Sequence, residues 1–241
     1  MIWYTSDQHN QMNIIKICFI GIIFILSNTA ASEIDPLKNI NERTHNLNQT
    51  LDLQFASPIA RFYKRVTPDF IEISITNFTS NMEDLSIAIN NILQGKLNDG
   101  ISDITRFTIN STLGICGFID VASDLGLNKN DEDFGQTLAV WGVPDGPYLV
   151  LPGLGPSTLR DTLSMVPDAF LTPLWLIDHD RTAYSLTAID LVDTRARYLG
   201  LESVVIGDEY LFFRDAYLQS REFEILDGQV DDDFDEFDDF N

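Results

Sequence analysis

The chain has 241 residues, enough for one large domain or two small ones, and its apolar content of 44% is ordinary for a globular protein. Its formal net charge of −22 would repel a phosphate backbone, so we expect no nucleic acid among its partners. The same charge excludes polybasic attachment to anionic lipid and favours a basic protein partner.

Residues 1–31 are typical of an N-terminal extension followed by an export signal. Met12 starts the signal-like part, and the apolar run ICFIGIIFILS precedes Thr29 and Ala31 at a small-residue cleavage site. The run is shorter than the about 20 residues of a transmembrane helix, and an uncleaved anchor is the alternative. Cleavage would leave Cys116 without a disulfide partner, and we expect it to be a small buried residue.

Helical patterns dominate residues 32–228, which we interpret as one mainly α domain. Asp35 and Pro36 are typical of a helix start. Apolar and small residues then recur at spacings of three and four and predict a packed helix face: Leu37, Ile40, Thr44, Leu47 and Leu51. Further starts are predicted at Ser57-Pro58, at Thr67-Pro68 and at Asn81 to Asp84, the last helix ending at Gly95.

The middle of the chain alternates helix with glycine-rich loop. A helix is predicted across 101–114, with one face formed by Ile101, Ile104, Thr108 and Ser111. The apolar segment 114–127 is a candidate hairpin or re-entrant turn. Residues 134–161 combine glycine, proline and aromatic residues, which break regular structure yet favour burial. Ser157 is predicted to cap the helix that follows.

The last two predicted helices begin near Thr182 and Asp208, and the chain ends in an acidic tail at 229–241 that we expect to be disordered. The phenylalanines in that tail hint at a docking peptide, and a solvated tail is the alternative. No strand-rich region is predicted.

No catalytic constellation is predicted. The three histidines lie away from any nucleophile motif, and G-x-S-x-G, H-E-x-x-H and paired C-x-x-C patterns are missing. We therefore expect neither catalytic residues nor a metal or other cofactor. The aspartates around the apolar loops are interpreted as helix caps and surface groups.

Several long blocks, taken together, are much more specific than any short motif. They are DPLKNINERTHNLN (35–48), ITNFTSNMEDLSIAINNILQGK (75–96), TRFTINSTLGICGFIDVAS (105–123), DFGQTLAVWGVPDGPYLVLPGLGPSTLRD (133–161), DTRARYLG (193–200) and RDAYLQSREF (214–223). In this order they resemble the MlaA (VacJ) family of outer-membrane lipid-asymmetry proteins, and the resemblance runs from about residue 35 to about residue 228.

The resemblance implies a single helical, ring-like domain with irregular loops around an amphipathic channel. It implies a non-enzymatic function: removal of mislocalised phospholipid from the outer leaflet of the outer membrane and delivery to an MlaC-type periplasmic carrier, in association with a trimeric porin. The family's usual lipoprotein cysteine is missing from TAAS (29–32), so the sequence does not predict a lipid anchor. Attachment to the periplasmic side of the outer membrane through apolar surface, or a looser periplasmic state, are the two possibilities.

Under this resemblance, the candidates for lining a lipid channel are Asn46, Asn48, Asn90, Asn110, Phe118, Phe134, Trp141 and Tyr148. The asparagines have a second interpretation, in which they cap helices or bond to backbone. A polar motif matching family positions is formed by Arg106, Asp120, Arg160 and Asp161. Its arginines either meet a lipid phosphate or pair internally with carboxylates.

Two other functions remain open at this point. One is hydrolysis of envelope lipids or glycans, against which the missing nucleophile and base argue. The other is a structural adaptor whose acidic tail binds a basic partner.

Overall fold

The computed structural model describes residues 35–173, 180–200 and 204–229. The elements in chain order are α1 (Lys38–Leu51), a π-helical segment (Asp52–Ala56), α2 (Ser57–Val66), α3 (Asp69–Leu93), α4 (Leu97–Thr112), α5 (Val121–Asp124), α6 (Phe134–Val140), β1 (Tyr148–Leu151), β2 (Gly155–Thr158), α7 (Leu159–Leu171), α8 (Asp180–Arg197) and α9 (Glu209–Ile225). The predicted mainly α class is confirmed. The predicted signal at 1–31 and the acidic tail, apart from Gln229, lie outside the described residues.

Helices α3 and α4 form the most extensive contact between two elements in the described part of the chain. Helix α3 follows the extended Pro68, as predicted, and ends with Gly95 at a φ of 87°. The predicted start at Asn81 to Asp84 is wrong, because both residues lie buried in the middle of this one 25-residue helix. Within the described residues, no helix combines the length and the apolar character needed to cross a membrane.

On α1 and α4, the polar face is buried and the apolar face is exposed, the reverse of the usual arrangement. On α1, Ile40 is 62% exposed and Leu47 is 49% exposed, whereas Asn41 is 1% exposed. On α4, Ile101 and Ile104 face outward. The predicted packing face of α1 is therefore wrong, and the shared face predicted for α4 is largely exposed, although the helical period is right in both.

Polar residues form the contacts between helices in place of the expected apolar ones. Asn41 Nδ2 donates to the Tyr148 carbonyl at 2.9 Å, and its Oδ1 accepts from Val150 N at 3.0 Å, so one side chain fixes α1 to β1. Asp35 does not cap α1, whose N-cap is Leu37; its carboxylate accepts from Asn41 Nδ2 at 2.9 Å instead. These hydrogen bonds hold α1 against the strand β1, which lies about a hundred residues later in the chain.

The loop after α4 is a compact series of turns that leads into α5, so the predicted hairpin is wrong. Ile115 and Cys116 have positive φ angles of 54° and 57°, and Cys116 is exposed, which corrects the expectation that it is buried. Gly117 lies against α3, where a Cβ atom would come within 2.6 Å of Asn81 Nδ2. The backbone turns sharply here because it must pass this close to the buried asparagine.

The glycine- and proline-rich region forms a two-stranded antiparallel hairpin, in which Tyr148 pairs with Thr158 and Leu151 with Gly155. Ser157 lies in β2 and does not cap α7. Thr158 is the cap, and its Oγ1 accepts from Asp161 N at 3.2 Å. Isolated two-stranded hairpins are marginal in water, so this one depends on its packing against α1 and α9.

Helix α9 closes the apolar part of the interior. Asp208 caps it as predicted, accepting from Leu211 N at 3.1 Å. Tyr210 then packs with Tyr148 and Val150 in a small buried cluster. The apolar core is small, and the polar contacts described above carry much of the packing.

Because α1 buries Asn41 and exposes Ile40, substitutions at these adjacent residues should differ strongly in their effect on stability. Asn41→Ala should lower the free energy of unfolding by about 2–3 kcal/mol, because it leaves a buried carbonyl and a buried N–H group without their partners. Ile40→Ala should change it by less than about 0.5 kcal/mol in mild detergent. Thermal unfolding of both variants, followed by circular dichroism, checks this; a larger loss for Ile40→Ala would show that the apolar face packs within the protein.

Candidate functional site

An apolar belt runs along the outer face from the π-helical segment into α3. It consists of Leu53, Phe55, Ile59, Phe62, Val66, Phe70 and Ile73, whose side chains are between 50% and 67% exposed. Most soluble monomers expose large apolar residues singly rather than in such runs, and continuous apolar surface is typical of contacts with membranes or partner proteins. Arg61, Lys64 and Arg65 accompany the belt on α2, in a chain that is otherwise strongly acidic.

Arg106 joins α3, α4 and α5 through a buried polar network. Its side chain is 2% exposed. Nη1 donates to Ser123 Oγ at 3.1 Å, Nη2 donates to the Asp120 carboxylate at 3.3 Å, and Nε lies 3.6 Å from Asp84 Oδ2. Asp120 also caps α5 and accepts from Asn110 Nδ2 at 2.9 Å. Arg106 and Asp120, two members of the predicted polar motif, thus form an internal ion pair in this structure.

The carboxylates of this network differ in their protonation. Burial raises the pKa of Asp84 to about 6, against the lowering effects of Lys129 and Arg106. Burial also opposes ionisation of Asp120, but hydrogen bonds from Ser123 and Asn110, with the charge of Arg106, lower its pKa to about 2. Asp120 is therefore the anion that balances Arg106, whereas Asp84 takes up a proton in weakly acidic conditions.

A second network ties α6, α7 and α9 around Arg221. Its Nε and Nη2 donate to the two Asp161 oxygens at 3.1 and 3.0 Å, while Nη1 and Nη2 donate to Asp133 at 2.6 and 2.7 Å. Burial opposes the charge of Asp161, but Arg221, Tyr217 and Arg160 together hold its pKa below its usual range. At Gly135, a Cβ atom would come within 2.4 Å of both Arg221 Nη2 and Asp161 Oδ1, so only glycine leaves room for this pairing.

An apolar cavity of about 470 Å³ lies beside the second network. It is formed by α6, α7 and the loop between α6 and β1. That loop is fixed to the first turn of α7, where Leu159 N donates to the Pro147 carbonyl at 3.1 Å and Arg160 N donates to the Asp145 carbonyl at 3.0 Å. Its lining includes Phe134, Leu138, Leu163 and Val166, together with one charged residue, Arg160. The volume lies in the range of small-molecule sites.

The four candidate asparagines occupy three kinds of position. Asn90 is fully buried and accepts from Thr137 Oγ1 at 2.9 Å, and Asn110 bonds to Asp120 and to Ala122 N. Asn48 donates to the Leu151 carbonyl at 2.8 Å and accepts from Gly153 N at 2.7 Å, which holds the hairpin turn. Asn46 is exposed beside His45 and Glu209. Three of the four therefore make structural hydrogen bonds, and a lining role for any of them stays a prediction.

The four candidate aromatic residues are spread over the molecule. Phe134 lines the apolar cavity and contacts Trp141 edge to face at a ring distance of 6.0 Å. Trp141 is 54% exposed and donates from Nε1 to the Leu93 carbonyl at 3.1 Å. Phe118 is partly exposed and stacks on Phe78 at 5.2 Å, whereas Tyr148 is buried in the core cluster. The structure brings Phe134 together with Arg160 and Asp161, and leaves Phe118 near the first network.

Asn41, Asp84 and Arg221 organise these contacts, but they were not among the site residues predicted from the sequence. A signal for them exists, because polar residues recur with the helical period along α3: Asn77, Asn81, Asp84 and Asn91. Arg221 likewise lies four residues after Tyr217 on α9, in line with Tyr210 and Phe213 at helical spacing. A charged residue that lies in line with aromatic residues at helical spacing is therefore the sequence signal for Arg221.

These features define a mainly α-helical protein whose interior helix contacts are polar and whose outer face is apolar. A family model described as MlaA lipoprotein matches residues 33–224. The chain belongs to the MlaA lipoprotein family, which confirms the resemblance drawn from the sequence blocks.

Individual relatives agree with this membership. The intermembrane phospholipid transport system lipoprotein MlaA of Escherichia coli (strain K12) is 33% identical over 202 residues, covering 81% of this chain and 80% of that protein. The Haemophilus influenzae protein of the same name is 30% identical over 203 residues, covering 81% of each. A solved structure described as "Structural basis for maintenance of bacterial outer membrane lipid asymmetry" matches with a TM-score of 0.73 and 31% identity, covering 80% of this chain and 100% of that one.

The raised pKa of Asp84 predicts that this residue lowers the free energy of unfolding in a pH-dependent way. Since the folded state holds this proton up to about pH 6 and the unfolded state releases it near pH 4, stability from this group is lost as the pH rises between those values. Asp84 faces Arg106, Lys129, Asp103 and Asp120, all of which remain in Asp84→Asn. The variant should gain about 2 kcal/mol relative to the natural chain between pH 4 and pH 7, after allowance for screening. Denaturant titrations at both pH values check this; a difference that does not change with pH would contradict it.

Proposed function

We propose that this protein moves phospholipid at the outer membrane, removing mislocalised lipid from the outer leaflet and passing it to a periplasmic carrier. The observation that carries the proposal is the inverted polarity: buried helix contacts are polar while the apolar belt faces outward. The names of the Escherichia coli and Haemophilus relatives, as components of an intermembrane phospholipid transport system, support the same function.

The apolar belt would sit among acyl chains on the periplasmic side of the outer membrane. Burying about 100 Å² of apolar side chain contributes about 2.5 kcal/mol, so several such residues hold a protein at a bilayer without a spanning helix. Arg61 and Arg65 on α2 would meet lipid phosphates at the interface, whereas Lys64 pairs with Glu72, and the acidic surface would remain in water. This seating does not require a lipid anchor.

Transport itself requires a path for the lipid head group, because a polar head loses its hydrogen bonds with water in hydrocarbon. We infer a ring-like arrangement around an amphipathic channel, with polar lining drawn from candidates such as Asn46 and aromatic lining from residues such as Phe134 and Trp141. Irregular backbone at membrane depth is stable where it is packed in protein or lines a cavity. The turn-rich segments after α4 and α6 are the backbone suited to this position.

The partners follow from the same proposal. They are phospholipid, an MlaC-type carrier on the periplasmic side and a trimeric porin within the membrane. No chemical step is needed, so the protein acts as a conduit and not as an enzyme. In the described part of the chain His45 is the one histidine, and it contacts the rings of Tyr210 and Phe213. The adaptor alternative concerns the acidic tail, most of which lies outside the described residues.

Incubation of the purified protein with radiolabelled phospholipid separates transport from hydrolysis. We expect intact lipid to bind and to transfer from donor vesicles to a periplasmic carrier. Released fatty acid or head group, above the level given by heat-denatured protein, would favour the hydrolase and overturn the proposal. Transfer that proceeds equally without the protein would also contradict it.

The belt predicts a measurable loss of membrane binding. Phe62→Ser should lower the vesicle partition coefficient about fivefold to tenfold, because about 1–1.5 kcal/mol of apolar burial is lost. Gln54→Ser, on the same outer segment, is the control and should leave partitioning unchanged. Flotation with liposomes measures both; equal partitioning of the two variants would place the membrane contact elsewhere.

A further inference from the structure

The guanidinium group of Arg160 has one nitrogen without a partner. Its side chain is 3% exposed. Nε donates to Asp161 Oδ1 at 3.1 Å and Nη1 pairs with Asp145, but Nη2 is buried and makes no hydrogen bond. A buried donor left without a partner costs free energy, most of all on a charged group. Such a donor beside a cavity indicates an acceptor that the cavity receives.

Arg160 lies where two cavities meet. The first is the apolar cavity, in which it is the one charged lining residue. The second, of about 540 Å³, is more polar and is lined by Asp145, Arg221 and Glu222 as well as by Arg160. A cationic donor between an apolar space and a polar space matches the layout of a phospholipid, in which the phosphate lies between acyl chain and head group.

We propose, resting on the phospholipid function above, that Arg160 Nη2 binds the phosphate of a zwitterionic glycerophospholipid. One acyl chain lies in the apolar cavity along Leu138, Leu163 and Val166, and the ammonium group of the head faces Asp145. Arginine binds phosphate oxygens through directed hydrogen bonds that a neutral side chain does not provide. The site is therefore a docking point for one lipid at the edge of α7.

The charges around the site favour a zwitterionic over an anionic head group. The two arginines and two carboxylates that line the polar cavity cancel, and the chain as a whole carries −22. A lipid with a second negative charge and no ammonium would meet uncompensated repulsion from Asp145 and Glu222. An ammonium group would instead replace Arg160 as the cation that pairs with Asp145.

Asp145 is the carboxylate that is able to change partners. Its side chain is 54% exposed, and it belongs to the loop between α6 and β1. Asp161 is held by Arg221 and Tyr217 as well as by Arg160, and it stays in place. Recognition of the head group then needs a movement of Asp145 alone.

To test this, the full chain is incubated in detergent with an equimolar mixture of phosphatidylethanolamine and phosphatidylglycerol. Native mass spectrometry then identifies the bound lipid. We expect bound phosphatidylethanolamine in excess for the natural chain. Arg160→Gln should bind about tenfold less lipid, the loss of one charge-assisted contact, and Arg160→Lys should recover part of it. Asp145→Asn should shift the bound ratio severalfold toward phosphatidylglycerol, because the arginine charge is then uncompensated.

A pair of neighbouring substitutions keeps the test independent of folding at Arg160. Val166→Trp fills the mouth of the apolar cavity, where Val166 is already 62% exposed, and should lower lipid binding about tenfold. Met165→Trp, next to it and outside the cavity lining, is the matched control and should bind as the natural chain does. Thermal unfolding by circular dichroism confirms that each variant is folded.

The outcomes separate this site from the general function. A natural chain that binds no phospholipid would contradict the proposed function itself. A natural chain that binds lipid, together with Arg160→Gln and Val166→Trp that bind it equally well, would overturn the site alone. An unchanged lipid ratio in Asp145→Asn would overturn the head-group assignment, and displacement of the lipid by millimolar inorganic phosphate would show a simple anion site instead.

Discussion

The fold depends on one constraint: polar side chains hold the segments together inside, because many of the large apolar side chains lie on the outside. Asn41 and Arg221 each join segments that are distant in sequence, and Asp120 joins the neighbouring helices α4 and α5, through hydrogen bonds or ion pairs. In a soluble protein such contacts would add specificity to an apolar core. Here the apolar core is a small cluster around Tyr148, so the polar networks both position the helices and hold them together.

This constraint explains why substitution effects should be uneven. A buried network that is fully satisfied is rigid, and loss of one member leaves several others without partners. Gly135 shows the tightness of the arrangement, since even a methyl group would meet both Arg221 and Asp161. Beside these networks, on the loop between α6 and β1, the Asp145 carboxylate stays half exposed next to an arginine with a spare donor.

The sequence was sufficient to predict the helical class, the α9 cap at Asp208 and the end of α3 at Gly95, because these depend on local backbone chemistry. It was not sufficient to predict which face of α1 or α4 is buried. Apolar residues with helical spacing are normally assigned to the interior, and that rule fails for these two helices, on which Ile40 and Ile101 face outward. The hairpin at 148–158 was missed for a different reason: its stability comes from Asn41 and Asn48 on α1, and no local pattern records those contacts.

The candidate site shows the same division between local and distant information. Arg160 and Asp161 were found because they form a recognisable sequence block, and the alternative of internal pairing with carboxylates is the arrangement observed. The unpaired Nη2 arises only in three dimensions, where α6, α7 and the intervening loop enclose an apolar space beside it. Two carboxylates, Asp145 and Asp161, balance the charge of the arginine while they occupy only two of its three nitrogens. An arginine held in this way is not left as an isolated buried charge, and its spare donor is the group that would meet the phosphate of the proposed lipid.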